Sequence, residues 1–165
     1  MTRRPEIIYI DMDGVLCDFQ KEHDKRLKEY PMQQYPQAAY GFFESLDPLD
    51  HAILAYQWLD QRFRVHILTA PSYMNPMCYT EKRIWVEKHL GLRAAKRMII
   101  SGYKNLLMGE YLIDDNDYGK GQDTFRGELI KFNQKTNNWV DIIYKFKELH
   151  SNIQDNQRGI SKRTT

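Results

Sequence analysis

The sequence predicts an α/β fold built on a mainly parallel sheet, and three observations carry that expectation. Short apolar runs alternate with helix-patterned segments along the chain, the order that makes βαβ units. The first run, Ile7-Ile8-Tyr9-Ile10, has no polar alternation, as expected of a strand covered on both faces. Three of the runs end in polar residues of special kinds: Asp11 with Asp13, Thr69, and Asp114 with Asp115. Ligands of open α/β sheets sit outside the carboxyl ends of the strands. A parallel sheet therefore gathers these groups on one edge.

Taken in order, Ile7 to Ile10 forms the first strand and runs straight into Asp11 and Asp13. In extended backbone, residues i and i+2 point to one side, so both acids aim at one spot. Gly14 lets the chain turn there. Asp18 to Tyr30 is densely charged, with apolar positions only at Phe19, Leu27 and Tyr30, and reads as a solvated helix stopped by Pro31. Met32 to Phe43 is turn-prone and aromatic, a loop pinned by ring packing or a lid whose rings face a ligand.

Asp47-Pro48 offers a side-chain cap followed by proline at the first helical position. Leu49, Ala52, Ile53, Tyr56, Leu59 and Phe63 then keep helical spacing, to about Arg62. Val65 to Leu68 is the second strand, ending in Thr69-Ala70-Pro71, and His66 within it reads as packed and hydrogen-bonded. Thr80 caps a helix that Gly91 stops. Lys96 to Ile100 is the third strand, followed by a loop carrying Lys104. Tyr111 to Ile113 is the fourth, and Leu129 to Phe132 the last. Trp139, Ile142, Ile143, Phe146 and Leu149 mark a final amphipathic helix. From Ser151 the pattern is polar and aperiodic, as in a flexible tail. The stretch from Asp18 to Leu46 is too long for an ordinary strand-to-helix connection. The expected organisation is thus a core of residues 1–17 and 47–150, a small cap at 18–46, and a tail at 151–165.

The chain has 165 residues, enough for one domain with a real core and no structural staples. No apolar run approaches a membrane span, and the N-terminal apolar run is too short for a signal peptide. Cys17 and Cys78 are too few for a disulfide framework, which fits a reducing cytoplasm. The net charge of +2 resides in the tail, where Arg158, Lys162 and Arg163 face only Asp155. A balanced body does not look like a polyanion-binding surface, so no stable nucleic-acid complex is expected. The sequence leaves a homodimer open.

Carboxylates crowded on one edge resist joint ionisation, and a divalent cation resolves that repulsion. An oxygen-only ligand set with room for water and phosphate suits Mg²⁺, and no Cys/His cluster competes for zinc. Lysine and a threonine hydroxyl nearby add donors for phosphate oxygens. One acid can then attack phosphorus, while another two residues on moves protons.

In this order and context, Asp11-Met12-Asp13-Gly14-Val15, then Thr69 after Ile67-Leu68, then Lys104, then Ile113-Asp114-Asp115 resembles the four-motif signature of the haloacid dehalogenase superfamily. The resemblance narrows to the 5′(3′)-deoxyribonucleotidase branch through Asp11 to Phe19, Gly41-Phe42-Phe43, Thr69-Ala70-Pro71 and the helix from Glu81 to Gly91. It implies a three-layer Rossmann-like sheet with a small helical cap after the first strand. It also implies a Mg²⁺-dependent phosphatase, of 5′-nucleotidase type, acting on nucleoside monophosphates through an aspartyl phosphate. By the same resemblance Asp11 is the nucleophile and Asp13 the general acid/base. Mg²⁺ would be held by Asp11, Asp114 and the backbone carbonyl of Asp13, with Asp115 in support. Thr69, the Ala70 position and Lys104 would hold phosphate, and Phe19, Phe42 and Phe43 would line the nucleoside pocket. Three features depart from the pattern. Ala70 replaces the usual serine, Gly102 stands where arginine is frequent, and the cap is short and lacks tryptophan.

Other readings of the same residues are weaker. Cys78 and Arg83 are one residue too close for a cysteine-phosphatase loop, and no P-loop surrounds Lys104. A phosphatase core with another phosphomonoester as substrate, such as a sugar phosphate or a nucleic-acid 3′-phosphate, uses the same four motifs. A phospho-accepting receiver module shares acids, hydroxyl and lysine, but orders them differently and needs no cap. A capped binding protein without activity sits poorly with intact motifs.

Overall fold

The computed structural model describes residues 4–149; the expected tail at 151–165 lies outside them. Five strands form one sheet: β1 (Ile7–Ile10), β2 (Arg64–Thr69), β3 (Met98–Ile100), β4 (Tyr111–Asp114) and β5 (Glu128–Lys131). Their order is β3-β2-β1-β4-β5, and every pairing is parallel. β1 is therefore central, with β2 on one side and β4 on the other. The chain order reverses there, which is where open α/β sheets bind ligands. Asp11 extends the β1–β4 ladder by one bond, its N–H donating to the Ile113 carbonyl at 2.9 Å.

The strands' side chains alternate between two faces. Ile8, Ile10, Val65, Ile67, Ile113 and Ile130 enter the main core. Against them pack α2 (Ala52–Asp60), α3 (Cys78–Leu90) and a final helix over 139–149, through Tyr56, Leu59, Trp85, Val86, Trp139, Ile142 and Phe146. Tyr9, Leu68 and Leu112 form the smaller core on the opposite face, with Phe125 and Leu107. Those last two follow short 3-10 turns at Gln122–Thr124 and Lys104–Leu106.

Helix α1 (Phe19–Glu29) has no buried residue, as its charge density predicts, and the Asp18 side chain caps it by accepting the Lys21 N–H at 3.1 Å. Two helix starts differ from the sequence expectation. α2 begins at Ala52, not after Asp47-Pro48, with His51 at φ 64° before it. Asp47 is engaged elsewhere: its carbonyl accepts the Asp18 N–H and its carboxylate pairs with Lys21, so it closes the 18–46 excursion instead of capping. α3 begins at Cys78, ahead of Thr80, because the Asn75 side chain accepts the Met77 N–H and turns the chain earlier. Gly91 ends α3 at φ 86°, as expected. His66 shares a hydrogen bond with the Arg97 carbonyl at 3.2 Å, the packed role expected of it.

Tryptophans tie the excursion to the core. Trp139 Nε1 donates to the Val15 carbonyl at 2.8 Å, holding the turn after the paired acids. Trp85 Nε1 donates to the Leu46 carbonyl at 2.7 Å, holding the end of the excursion.

Candidate active site

The carboxyl edge of the sheet brings together the acids singled out in the sequence. β1 delivers Asp11, which is 5 % exposed, and β4 delivers Asp114, which is fully buried. One carboxylate oxygen each from Asp11, Asp114 and Asp115 fall within 4.8 Å of one another. Adjacent parallel strands in register explain the first two, and the chain leaving β4 adds the third. Gly14 makes room for it: its φ is +76°, and a Cβ there would lie 2.6 Å from Asp115 Oδ2. Among the described residues the cluster contains no histidine or cysteine.

Two buried lysines divide these acids. Lys104 Nζ lies 2.5 Å from Asp114 Oδ2 and 3.1 Å from Asp11 Oδ1. The second approach lacks hydrogen-bond geometry, so Asp11 Oδ1 is buried without a hydrogen-bond partner. Asp114 also accepts the Asn116 N–H at 2.9 Å and the Gln122 amide at 3.4 Å. Lys82, from the first turns of α3, donates to Asp13 Oδ2 at 2.6 Å, Thr69 Oγ1 at 2.8 Å and the Ala70 carbonyl at 2.6 Å. Asp13 keeps about a quarter of its side chain exposed, at 27 %.

Four carboxylates therefore face two buried lysines, an excess of two negative charges. The surroundings register that excess. Burial pushes the Asp114 carboxyl up, and the nearby Asp11 charge adds to it against the opposing pull of Lys104. Burial and the charges of Asp11 and Asp114 raise Asp115 to about 6. Burial alone lowers Lys104, but the Asp11 and Asp114 charges outweigh it and hold the ammonium charged. Burial and the Asp13 charge push the Cys17 thiol well up, so it stays a neutral core side chain. An all-oxygen cluster, two charges short of neutral, with one buried oxygen outside any hydrogen bond, fits a hard divalent cation such as Mg²⁺.

A pocket of about 240 Å³ opens on the cluster, lined by Asp11, Asp13, Gly14, Phe19, Gln20, Asp115, Asn116 and Lys120. It contains both paired acids and Phe19, but not the other residues expected to touch substrate. Thr69 and Lys104 are fully buried and committed to Lys82 and to the acids. Ala70 presents its carbonyl to Lys82. Phe42 and Phe43 are 0 % and 1 % exposed and belong to the main core, stacked edge-on at 5.1 Å. They meet the pocket through Phe19, whose ring lies 5.2 Å from that of Phe42.

Lys82 is the residue that sequence reasoning passed over. It sits in a charged stretch, Glu81-Lys82-Arg83. A signal did exist: Cys78, Lys82 and Trp85 share one face at i, i+4 and i+7, and all three are fully buried. A lysine on the apolar stripe of an amphipathic helix needs a buried partner.

Comparisons with known proteins agree with this geometry. The family model for 5′ nucleotidase, deoxy (Pyrimidine), cytosolic type C protein matches residues 28–155. A protein of Vibrio phage KVP40, provisionally named a 5′(3′)-deoxyribonucleotidase, is 39% identical over 147 residues, covering 86% of this chain and 84% of the relative. The human 5′(3′)-deoxyribonucleotidase of cytosolic type is 31% identical over 168 residues, covering 83% and 78%. Among solved structures, a HAD-hydrolase of Bacillus subtilis bound to magnesium superposes with a TM-score of 0.58 at 14% identity, covering 81% of this chain and 91% of that one, a likeness of fold. With its all-parallel sheet and clustered acids, the chain belongs to the type C cytosolic 5′(3′)-deoxyribonucleotidase family, phosphoric monoester hydrolases of haloacid dehalogenase-like fold.

Proposed function

We propose that this chain is a Mg²⁺-dependent nucleotidase that hydrolyses deoxynucleoside monophosphates through an aspartyl phosphate on Asp11. The observation that carries the reading is the division of the paired acids between two lysines. Asp11 lies with Lys104 and Asp114, and Asp13 lies with Lys82 and Thr69. Two carboxylates two residues apart would otherwise be equivalent; distinct partners assign them distinct work.

Asp11, Asp114 and the Asp13 carbonyl would hold Mg²⁺, with Asp115 in support. When bound, the ion neutralises charge and polarises a phosphoryl oxygen. A carboxylate oxygen of Asp11 attacks phosphorus, forming an oxygen–phosphorus bond as the ester bond to the nucleoside oxygen breaks. Asp13, open to the pocket, gives a proton to that leaving oxygen. It then takes a proton from the water that attacks phosphorus and frees Asp11. Lys82 orients Asp13 through Oδ2, and Oδ1, which meets the Cys17 thiol at 3.9 Å, exchanges the proton. Lys104 supplies positive charge beside the nucleophile. Residues 18–46 act as the cap, and the core is 1–17 with 47–150. The two cysteines are free and buried, in keeping with a reducing compartment. Among the described residues no helix is long and apolar enough to cross a membrane.

Asp11→Asn tests the reading directly. It should abolish phosphate release from dUMP and dTMP in Mg²⁺ buffer, while a thermal melt shows the protein folded. Undiminished turnover rules the nucleophile out. A panel of sugar phosphates and 3′-phosphorylated oligonucleotides should be turned over far more slowly than the nucleotides by the unaltered chain.

A further inference from the structure

Glu81 and Lys82 are neighbours on α3 and reach in different directions. Lys82 holds Asp13 and Thr69. Glu81, 4 % exposed, turns to the excursion at 18–46. Its Oε1 accepts the Gly41 N–H at 2.8 Å and its Oε2 accepts the Phe43 N–H at 3.0 Å. Fully buried Asn75 donates to both Glu81 oxygens, at 3.3 and 3.2 Å, and to the Ala39 carbonyl at 3.2 Å. The loop at 39–43 is thus bound through its backbone to two buried polar side chains of the core.

Burying a carboxylate is costly, and apolar packing would hold a loop more cheaply. What the carboxylate adds is direction, because two backbone N–H groups must meet its two oxygens. The loop so directed carries Phe42 and Phe43. Phe43 lies beneath Lys82, whose Nζ is 4.8 Å from the ring centroid. Both rings pack on Phe19, at 5.2 and 6.3 Å, and Phe19 lines the acid pocket. A chain of contacts therefore runs from Glu81 through the loop to the pocket wall, without touching the acids.

We propose that Glu81 is a positioning residue, a latch that sets the aromatic wall met by the nucleoside part of the substrate. The proposal rests on the nucleotidase reading above. Glutamine in its place keeps the shape but offers only one acceptor oxygen, so one loop N–H faces an amide donor.

The test compares unaltered chain and Glu81→Gln with two substrates, dUMP and p-nitrophenyl phosphate, the second having no nucleoside. Amide exchange at Gly41 and Phe43 is followed alongside. In the variant KM for dUMP should rise about tenfold with kcat within about threefold, the pattern of lost binding without lost chemistry. Kinetics on p-nitrophenyl phosphate should stay within about twofold, and the two amides should exchange at least about tenfold faster. Equal losses on both substrates, or unchanged exchange at Gly41 and Phe43, overturn the latch while leaving the nucleotidase intact. An unaltered chain active on p-nitrophenyl phosphate but not on dUMP removes the nucleotidase reading and the latch together. Should Glu81→Gln not fold, Asn75→Ala takes its place, with a KM rise for dUMP of about threefold expected; no rise overturns the proposal.

Discussion

Lys104 and Lys82 are both fully buried at the same carboxyl edge of the sheet, yet they sit in different electrostatic company. Lys104 lies between two carboxylates, Asp11 and Asp114, and comes from the loop leading into β4. Lys82 meets one carboxylate and two neutral oxygens, and comes from a helix that also holds the loop at 39–43. Lys104 is thus a charge-balancing residue, outnumbered by the acids around it. Lys82 is a one-to-one ion pair that aims a partly exposed Asp13. The difference teaches how one strand end can make two carboxylates unequal: the division comes from elements far apart in the chain, not from the strand.

Three experiments break or sharpen this contrast. The largest effect is expected from Lys104→Met, which leaves Asp11 and Asp114 buried against each other. Breaking a buried pair costs about 3–5 kcal/mol, so chemical denaturation should show a loss of that size, and phosphatase activity should fall below detection. A variant of unaltered stability would mean that the acids are not held together by this lysine.

Lys82→Met should be milder in stability and selective in chemistry. Its carboxylate partner reaches solvent and can rehydrate, whereas the partners of Lys104 cannot. Loss of an oriented acid/base should lower kcat on dUMP by about 10²–10⁴, and aspartyl-phosphate formation should slow with it, because Asp13 protonates the leaving oxygen in that step. A burst of undiminished rate on dUMP would falsify the role of Lys82 in aiming Asp13.

The smallest effect concerns the metal. Asp115 sits at about 6 through burial and the Asp11 and Asp114 charges. A carboxyl raised on folding withdraws stability as pH climbs from its unfolded value to its folded one, and the loss is complete above the latter. Mg²⁺ bound beside Asp115 would offset that loss. Its addition should therefore raise Tm by several degrees at about pH 7.5 and by much less at about pH 5, where Asp115 is protonated. Equal shifts at both pH values would place Asp115 outside the metal's influence.

Much of this site was legible beforehand, and the omissions share one cause. Asp11, Asp13, Asp114 and Asp115 announce themselves because acids at the ends of apolar strands have no other explanation. The sequence marks Lys104 on the loop before the fourth strand, but not its position behind the acids, since burial depends on what packs over the loop. Phe42 and Phe43 read as candidate pocket rings; both are core, and only Phe19 reaches the cavity. Asp47 read as a helix cap, and the tertiary ion pair with Lys21 claims it instead. Lys82 and Glu81 carry no assigned role in the sequence, and their burial follows from contacts 38 to 69 residues away.

Local pattern by itself determined the strands, the order of the motifs and the edge on which the acids meet. Those follow from periodicity and from the geometry of extended backbone, which act over a few residues. Tertiary structure alone decided which lysine serves which acid, which aromatic ring faces the pocket, and what fastens the loop at 39–43. Those choices are made by desolvation, and desolvation at any residue is set by the segments that pack over it from elsewhere in the chain.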